Sequence, residues 1–152
     1  MLLESLIAPL YLCMRVTVEA LKDWRYVDAI DRVLPAAAAR GMGVIVKRPI
    51  ANAAWRHGKQ PPGDWYTRPY WDRLQALDYD FLRSGVENAV AIALRFTLGT
   101  AGVTTAIVGT TRPERVAQNI AHAAAGPLPP AQYEAIRARW RSVAPADWTG
   151  QR

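Results

Sequence analysis

Arg115, Gln118 and Asn119 stand at i, i+3 and i+4 in a stretch that reads as a helix. This spacing brings one guanidinium and two carboxamides onto a single face of its first turns, a donor-rich set suited to an anion. Directly upstream lies Gly109-Thr110-Thr111, a turn of small and hydroxyl residues. A strand that enters a helix through such a turn aims free backbone N–H groups at one point, and that point is a ready anion site. The same turn and polar face also suit an ordinary solvated helix. The surrounding elements decide between the two.

Three elements must position these residues. Ala91, Leu94 and Leu98, with Ile92 and Phe96 beside them, recur at helical spacing up to Gly99, and Val103–Val108 then supplies a short β-branched strand. The next helix has a capping-box spacing, Thr111 with Glu114, and Pro113 in its first turn, where a missing N–H costs nothing. Upstream, Ile30, Val33, Leu34 and Ala37 share a helical face, Pro35 reads as a kink or a late first-turn residue, and Arg40-Gly41 makes a stop. Residues 43–47 form a second short strand. Ala53 to Asp80 reads as a long connection rich in Gly, Pro and aromatics. Its Tyr66, Tyr70, Trp71 and Arg73 suit either a cover for a ligand or the packing of a helix. Beyond Asn119 the chain breaks at Gly126–Pro130, resumes as a helix over 132–142, and ends in a tail from Asp147.

TTAIVGTTRPERVAQN, residues 104–119, resembles the eighth strand, phosphate loop and eighth helix of aldo/keto reductases. Those are NADP(H)-dependent oxidoreductases built on a TIM (β/α)8 barrel. Carried over position by position, the resemblance makes Thr110 the hydroxyl contact to a 2′-phosphate, Arg115 the arginine against that phosphate and the adenine, and Asn119 the adenine-binding asparagine. Thr111 belongs to the same loop. Gln118 stands where many members have glutamate, and Gly109 where many have lysine. The absent lysine leaves NAD possible beside NADP(H), with Arg112 as a compensating cation. Gly43–Lys47 and Arg48-Pro49-Ile50-Ala51-Asn52 resemble the seventh strand and its cofactor-facing loop, which implies that Lys47, Arg48, Ile50 and Asn52 line the dinucleotide. The alternative for the two cations is an exposed rim.

At 152 residues the chain is shorter than the roughly 200 that a whole barrel requires. The expected fold is therefore α/β, a partial TIM (β/α)8 barrel: the C-terminal βα units plus the C-terminal helix, over residues 27–152. Residues 1–26 match poorly and carry no recognisable strand, which suits either a divergent helix or a segment foreign to the family, such as an altered reading frame. Their apolar run, Ser5–Met14, is interrupted by Pro9 and too short for a membrane span. Single Cys13 excludes an internal disulfide and fits a reducing, cytoplasmic setting. The net charge of +6 is scattered rather than striped, which argues against nucleic acid. Five tryptophans, Trp55, Trp65, Trp71, Trp140 and Trp148, flank loops and helix ends, as covers for a core edge. His57 reads as solvated and His122 as structural.

The family's catalytic tyrosine, lysine, aspartate and histidine come from earlier strands, and none of Tyr11, Tyr26, Tyr66, Tyr70, Tyr79 or Tyr133 sits in its catalytic motif. Tyrosine needs such partners, because a free pKa near 10 makes it a poor acid at neutral pH. The expectation is a reductase-like chain that keeps the cofactor end and lacks the catalytic set. Its alternative is a non-catalytic nucleotide-binding or interaction protein, with a complementing half-barrel or a second copy covering the open sheet edge.

Overall fold

The computed structural model describes Leu2–Leu3, residues 29–144 and Trp148. Short apolar runs bounded by turn residues form three strands, β1 (Leu2–Leu3), β2 (Ile45–Lys47) and β3 (Thr105–Ile107), in the order β1-β2-β3. Both pairings are parallel, with Leu2 opposite Ile45 and Val46 opposite Ala106. Parallel neighbours require a crossover, which the helices between β2 and β3 supply. The strand at Leu2–Leu3 was not announced by the sequence, since two leucines are too few to show a pattern. The rest of that segment, with Cys13, Tyr11 and the Ser5–Met14 run, lies outside the described residues.

A π turn, Ala29–Val33, runs into α1 (Leu34–Ala38) with Pro35 in the opening turn. That position has no N–H to lose, which accounts for a proline inside an otherwise helical pattern. Val33, Leu34 and Ala37 are buried. Gly41, at φ +63°, ends the segment in the left-handed region where glycine is preferred.

The stretch between Ala53 and Asp80 is more ordered than its composition suggests. A 3-10 segment, Ala51–His57, follows β2, and α2 spans Arg68–Leu77. Tyr70, Arg73, Leu74 and Leu77 are buried at i, i+3, i+4 and i+7, so helix packing is the role that Tyr70 and Arg73 fill. Trp71 Nε1 donates to the Gly58 carbonyl at 2.9 Å and pins the loop ahead of the helix. Trp65 departs from its expected place over a core edge: it is 82% exposed.

After a 3-10 turn at Asp80–Arg83 comes α3 (Val86–Gly99). Its buried face runs through Ala89, Ile92, Ala93, Phe96 and Thr97, together with Leu94, whereas Ala91 and Leu98 are only half buried. The face is rotated from the Ala91/Leu98 stripe, and on it Phe96 stacks on Tyr133 of α5 (Pro130–Val143) with centroids 4.6 Å apart. From α5, the backbone carbonyl of Ile136 accepts the Tyr79 hydroxyl at 3.0 Å, and Arg139 Nε donates to the Leu77 carbonyl at 2.7 Å. Tyr70, Phe96, Leu34, Leu77, Leu94, Val44 and Val46 are the largest fully buried side chains. Each contributes about 1.5–3 kcal/mol by leaving water.

α4 (Glu114–Ala124) packs on α3 yet buries none of its own residues. Val116 and Ile120 are 50% and 64% exposed, beside Ile107 on β3 at 51%. The capping box expected from Thr111 and Glu114 is absent: Pro113 is the residue before the helix and no side chain caps it. Thr110 takes the local role instead, its Oγ1 accepting the Arg112 N–H at 3.1 Å. Among the described residues no helix is long and apolar enough to cross a membrane.

Candidate functional site

β3 delivers the chain to Val108 at the mouth of a cleft of about 300 Å³. One wall is the β3–α4 loop, with Gly109, Thr110 and Arg112. The next is one face of α4, where Arg115, Gln118, Asn119 and His122 succeed one another. The segment after β2 contributes Ile50, Ala53 and Arg56, and the first turns of α3 contribute Val86, Glu87 and Val90. Glu114 completes the lining. Apolar side chains therefore share the lining with guanidiniums and carboxamides. That arrangement suits a flat heterocycle carrying an anionic group.

Of the residues singled out from the sequence, Ile50, Gly109, Thr110, Arg115, Gln118 and Asn119 meet in this cleft. Lys47, Arg48, Asn52 and Thr111 are not among its lining residues. Arg48 meets two tyrosines. Its Nη1 donates to the Tyr70 hydroxyl at 2.6 Å, and its guanidinium lies 4.6 Å from the centroid of the Tyr66 ring. Asn52 has φ +54°, and Arg48, Ala51 and Ala53 also lie at positive φ. Such backbone costs on the order of 1–3 kcal/mol per residue and gathers where function constrains the chain. The Nδ2 of Asn52 is buried without a hydrogen-bond partner, a donor whose burial is costly until an acceptor reaches it.

Sequence reasoning missed four polar contributors, Arg56, Glu87, Glu114 as a wall residue, and His122, whereas Arg112, named as a compensating cation, does line the cleft. The signal for His122 was present, since 115, 118, 119 and 122 continue one helical face; its alanine neighbours made it read as structural. Arg56 and Glu87 carried no such signal, because they arrive from other elements.

The aldo/keto reductase model matches residues 25–141. The chain belongs to the aldo/keto reductase family. No curated protein and no solved structure matches this reductase-family chain. Members of the family are oxidoreductases that generally use NAD(P)H. The residues fit one end of such a cofactor: free guanidiniums for a phosphate, apolar contacts for a ring, and an orphaned buried amide in the neighbouring segment.

Among the described residues no tyrosine lines the cleft. Tyr70 is held by Arg48, and the Tyr133 hydroxyl meets Thr100 Oγ1 at 3.3 Å. Tyr79 is bound to a backbone carbonyl, and burial raises its pKa well above the ordinary value. These phenols hold the fold together. His122 is the one imidazole in the lining.

Proposed function

We propose that these residues form the cofactor-binding end of an aldo/keto reductase-type (β/α)8 barrel, its C-terminal βα units and following helix, without the family's catalytic Asp/Tyr/Lys/His set. Arg115 binds the 2′-phosphate of NADP(H), Asn119 and Gln118 meet the adenine edge, Gly109 and Thr110 shape the loop, and Ile50 packs against the ring. Lys47, Arg48, Asn52 and Thr111 stand further out along the dinucleotide, where the strained segment after β2 and the orphaned Asn52 amide await the pyrophosphate. NAD remains an acceptable ligand in this reading. A bound nicotinamide supplies a hydride; the residues here bind and orient it.

The convergence of Arg115, Gln118 and Asn119 with Ile50 in one cleft carries the proposal. Calorimetry with adenosine 2′,5′-bisphosphate tests it. A guanidinium on a phosphate is worth about 1.5–3 kcal/mol, so Arg115→Ala should weaken binding more than any other single change in the cleft. Binding indifferent to Arg115 removes the assignment.

A second reading, a non-catalytic interaction protein that needs a complementing half-barrel or another copy of itself, is favoured by a separate observation. Among the described residues β3 is paired only with β2, and Ile107 on β3 and Val116 and Ile120 on α4 are exposed. Light scattering over a concentration series tests it: a monomer at every concentration, and no capture of an independently produced N-terminal half-barrel, argue against both partners.

A further inference from the structure

His122 has no part in the cofactor contacts assigned above, yet it completes the α4 side of the cleft. It lies half-buried in the last turn of α4, on the face that carries Arg115, Gln118 and Asn119. At about 1.5 Å of rise per residue, it stands roughly 10 Å along the helix from Arg115. That distance carries a bound adenosine from its ribose phosphate to the far edge of its base. The imidazole therefore belongs to the base end of the cleft, away from the phosphate end. Among the described residues no hydrogen bond or ion pair engages it.

An imidazole is the side chain whose charge ordinarily changes between about pH 5 and 8, and its neighbours decide which form is favoured. Against a proton stand the guanidiniums of Arg56, Arg112 and Arg115; in its favour stand the carboxylates of Glu87 and Glu114. The last turn of α4 also favours the cation, because the helix dipole leaves partial negative charge there. Arg95 of α3 reaches the turn after α4, where it donates to the carbonyls of Gly126 and Pro127. Without an anion the guanidiniums outnumber the carboxylates, and protonation is opposed. A nucleotide reverses that balance. Its phosphates offset the guanidiniums, and the ring nitrogens of adenine are acceptors, which an imidazolium meets with two N–H donors and a neutral imidazole with one.

We propose that His122 is a base-contacting residue that takes up a proton as an adenine nucleotide binds, so that the cleft holds the nucleotide more tightly in mildly acidic than in alkaline solution. The inference rests on the dinucleotide reading above and adds to it a contact, and a dependence on pH, that the Arg115, Gln118 and Asn119 assignments do not contain. The coupling is reciprocal: a proton that tightens the nucleotide is itself held more tightly when the nucleotide is present.

The test is calorimetry on the full chain with adenosine diphosphate ribose, whose pyrophosphate keeps its charge across the range and so does not titrate in place of the protein. Affinity should fall roughly tenfold between about pH 5.5 and about pH 8.5, as exchange of a charge-assisted bond for a neutral one requires. His122→Gln keeps a hydrogen-bonding side chain that cannot titrate, and should bind within about twofold at both values. His57→Gln, which removes the chain's other histidine, exposed and outside the cleft, should follow the wild type. Thermal unfolding at both pH values reports that the fold is kept. Proton NMR adds a reading that a merely structural role would not move. In His57→Gln a single imidazole Cε1–H remains, and its titration midpoint should shift to higher pH when the nucleotide is added. Affinity indifferent to pH, a pH dependence that survives His122→Gln, or a midpoint unmoved or lowered by the nucleotide each overturns the inference. The dinucleotide reading is then judged separately, by Arg115→Ala against adenosine 2′,5′-bisphosphate. If adenosine diphosphate ribose binds at neither pH the inference falls, and if the bisphosphate also fails to bind, the reading beneath it falls as well.

Discussion

Arg137 Nη2, on α5, reaches both carboxylate oxygens of Asp31, at 2.8 and 2.9 Å, across 106 residues of chain. The arginine side chain is 4% exposed and the aspartate 54%. Removing the carboxylate takes a strong acceptor from a buried cation, whereas the aspartate itself would resolvate. Asp31→Ala should therefore lower stability by about 1–2 kcal/mol, towards the lower part of the range for charged hydrogen bonds. Urea denaturation reads the change, and an unmoved midpoint would show that the other partners of Arg137 suffice.

Gly99 ends α3 against Pro127. A Cβ there would stand 2.8 Å from the proline Cβ and 3.2 Å from its Cα. The α4–α5 turn would have to move, and overpacking of this kind costs typically 1–3 kcal/mol. Gly99→Ala should show that loss in thermal unfolding, while Gly63→Ala, with nothing within 4 Å, should cost far less.

Thr110 Oγ1 accepts the Arg112 N–H at 3.1 Å and also lies 3.2 Å from the Arg112 carbonyl. Its hydroxyl thus orders the turn that carries a cleft cation. Thr110→Ala should weaken adenosine 2′,5′-bisphosphate by about 0.5–1.5 kcal/mol, and Thr110→Ser should restore most of it. Failure of serine to rescue would point to the lost methyl group instead.

Purified alone, the chain should not oxidise NADPH with small aldehydes or ketones above background. Binding lowers a barrier only where a proton donor and a shaped carbonyl site favour the transition state. A spectrophotometric assay at 340 nm checks this, and turnover lost in His122→Gln would mean that the cleft imidazole supplies the proton.

The strands and the α4 face were legible because their signals are local. Val103–Val108 contains the observed β3, and Arg115, Gln118 and Asn119 line one cleft as their spacing requires. α2 was legible in principle through Tyr70, Leu74 and Leu77, but the surrounding prolines, glycines and aromatics concealed it. The partners of Arg48 were not readable: the Tyr66 and Tyr70 rings it meets come from α2 and the loop before it, far along the chain. Capping failed for a different reason. Thr111 has the right spacing from Glu114, yet Thr110 takes the turn and Pro113 begins the helix.

The link between β2 and β3 also governs the order in which the chain acquires its shape. Val44 donates to Thr104 Oγ1 across 60 residues, and the ladder from Ile45–Thr105 to Lys47–Ile107 spans the same separation. The α3–α4 packing, by contrast, joins neighbours in sequence. Closing a loop that long gives up entropy before any strand contact returns it. On a ribosome the nascent β2 has β1 as an earlier partner but must wait for β3 to emerge, and completing the sheet is a late step of folding rather than its seed.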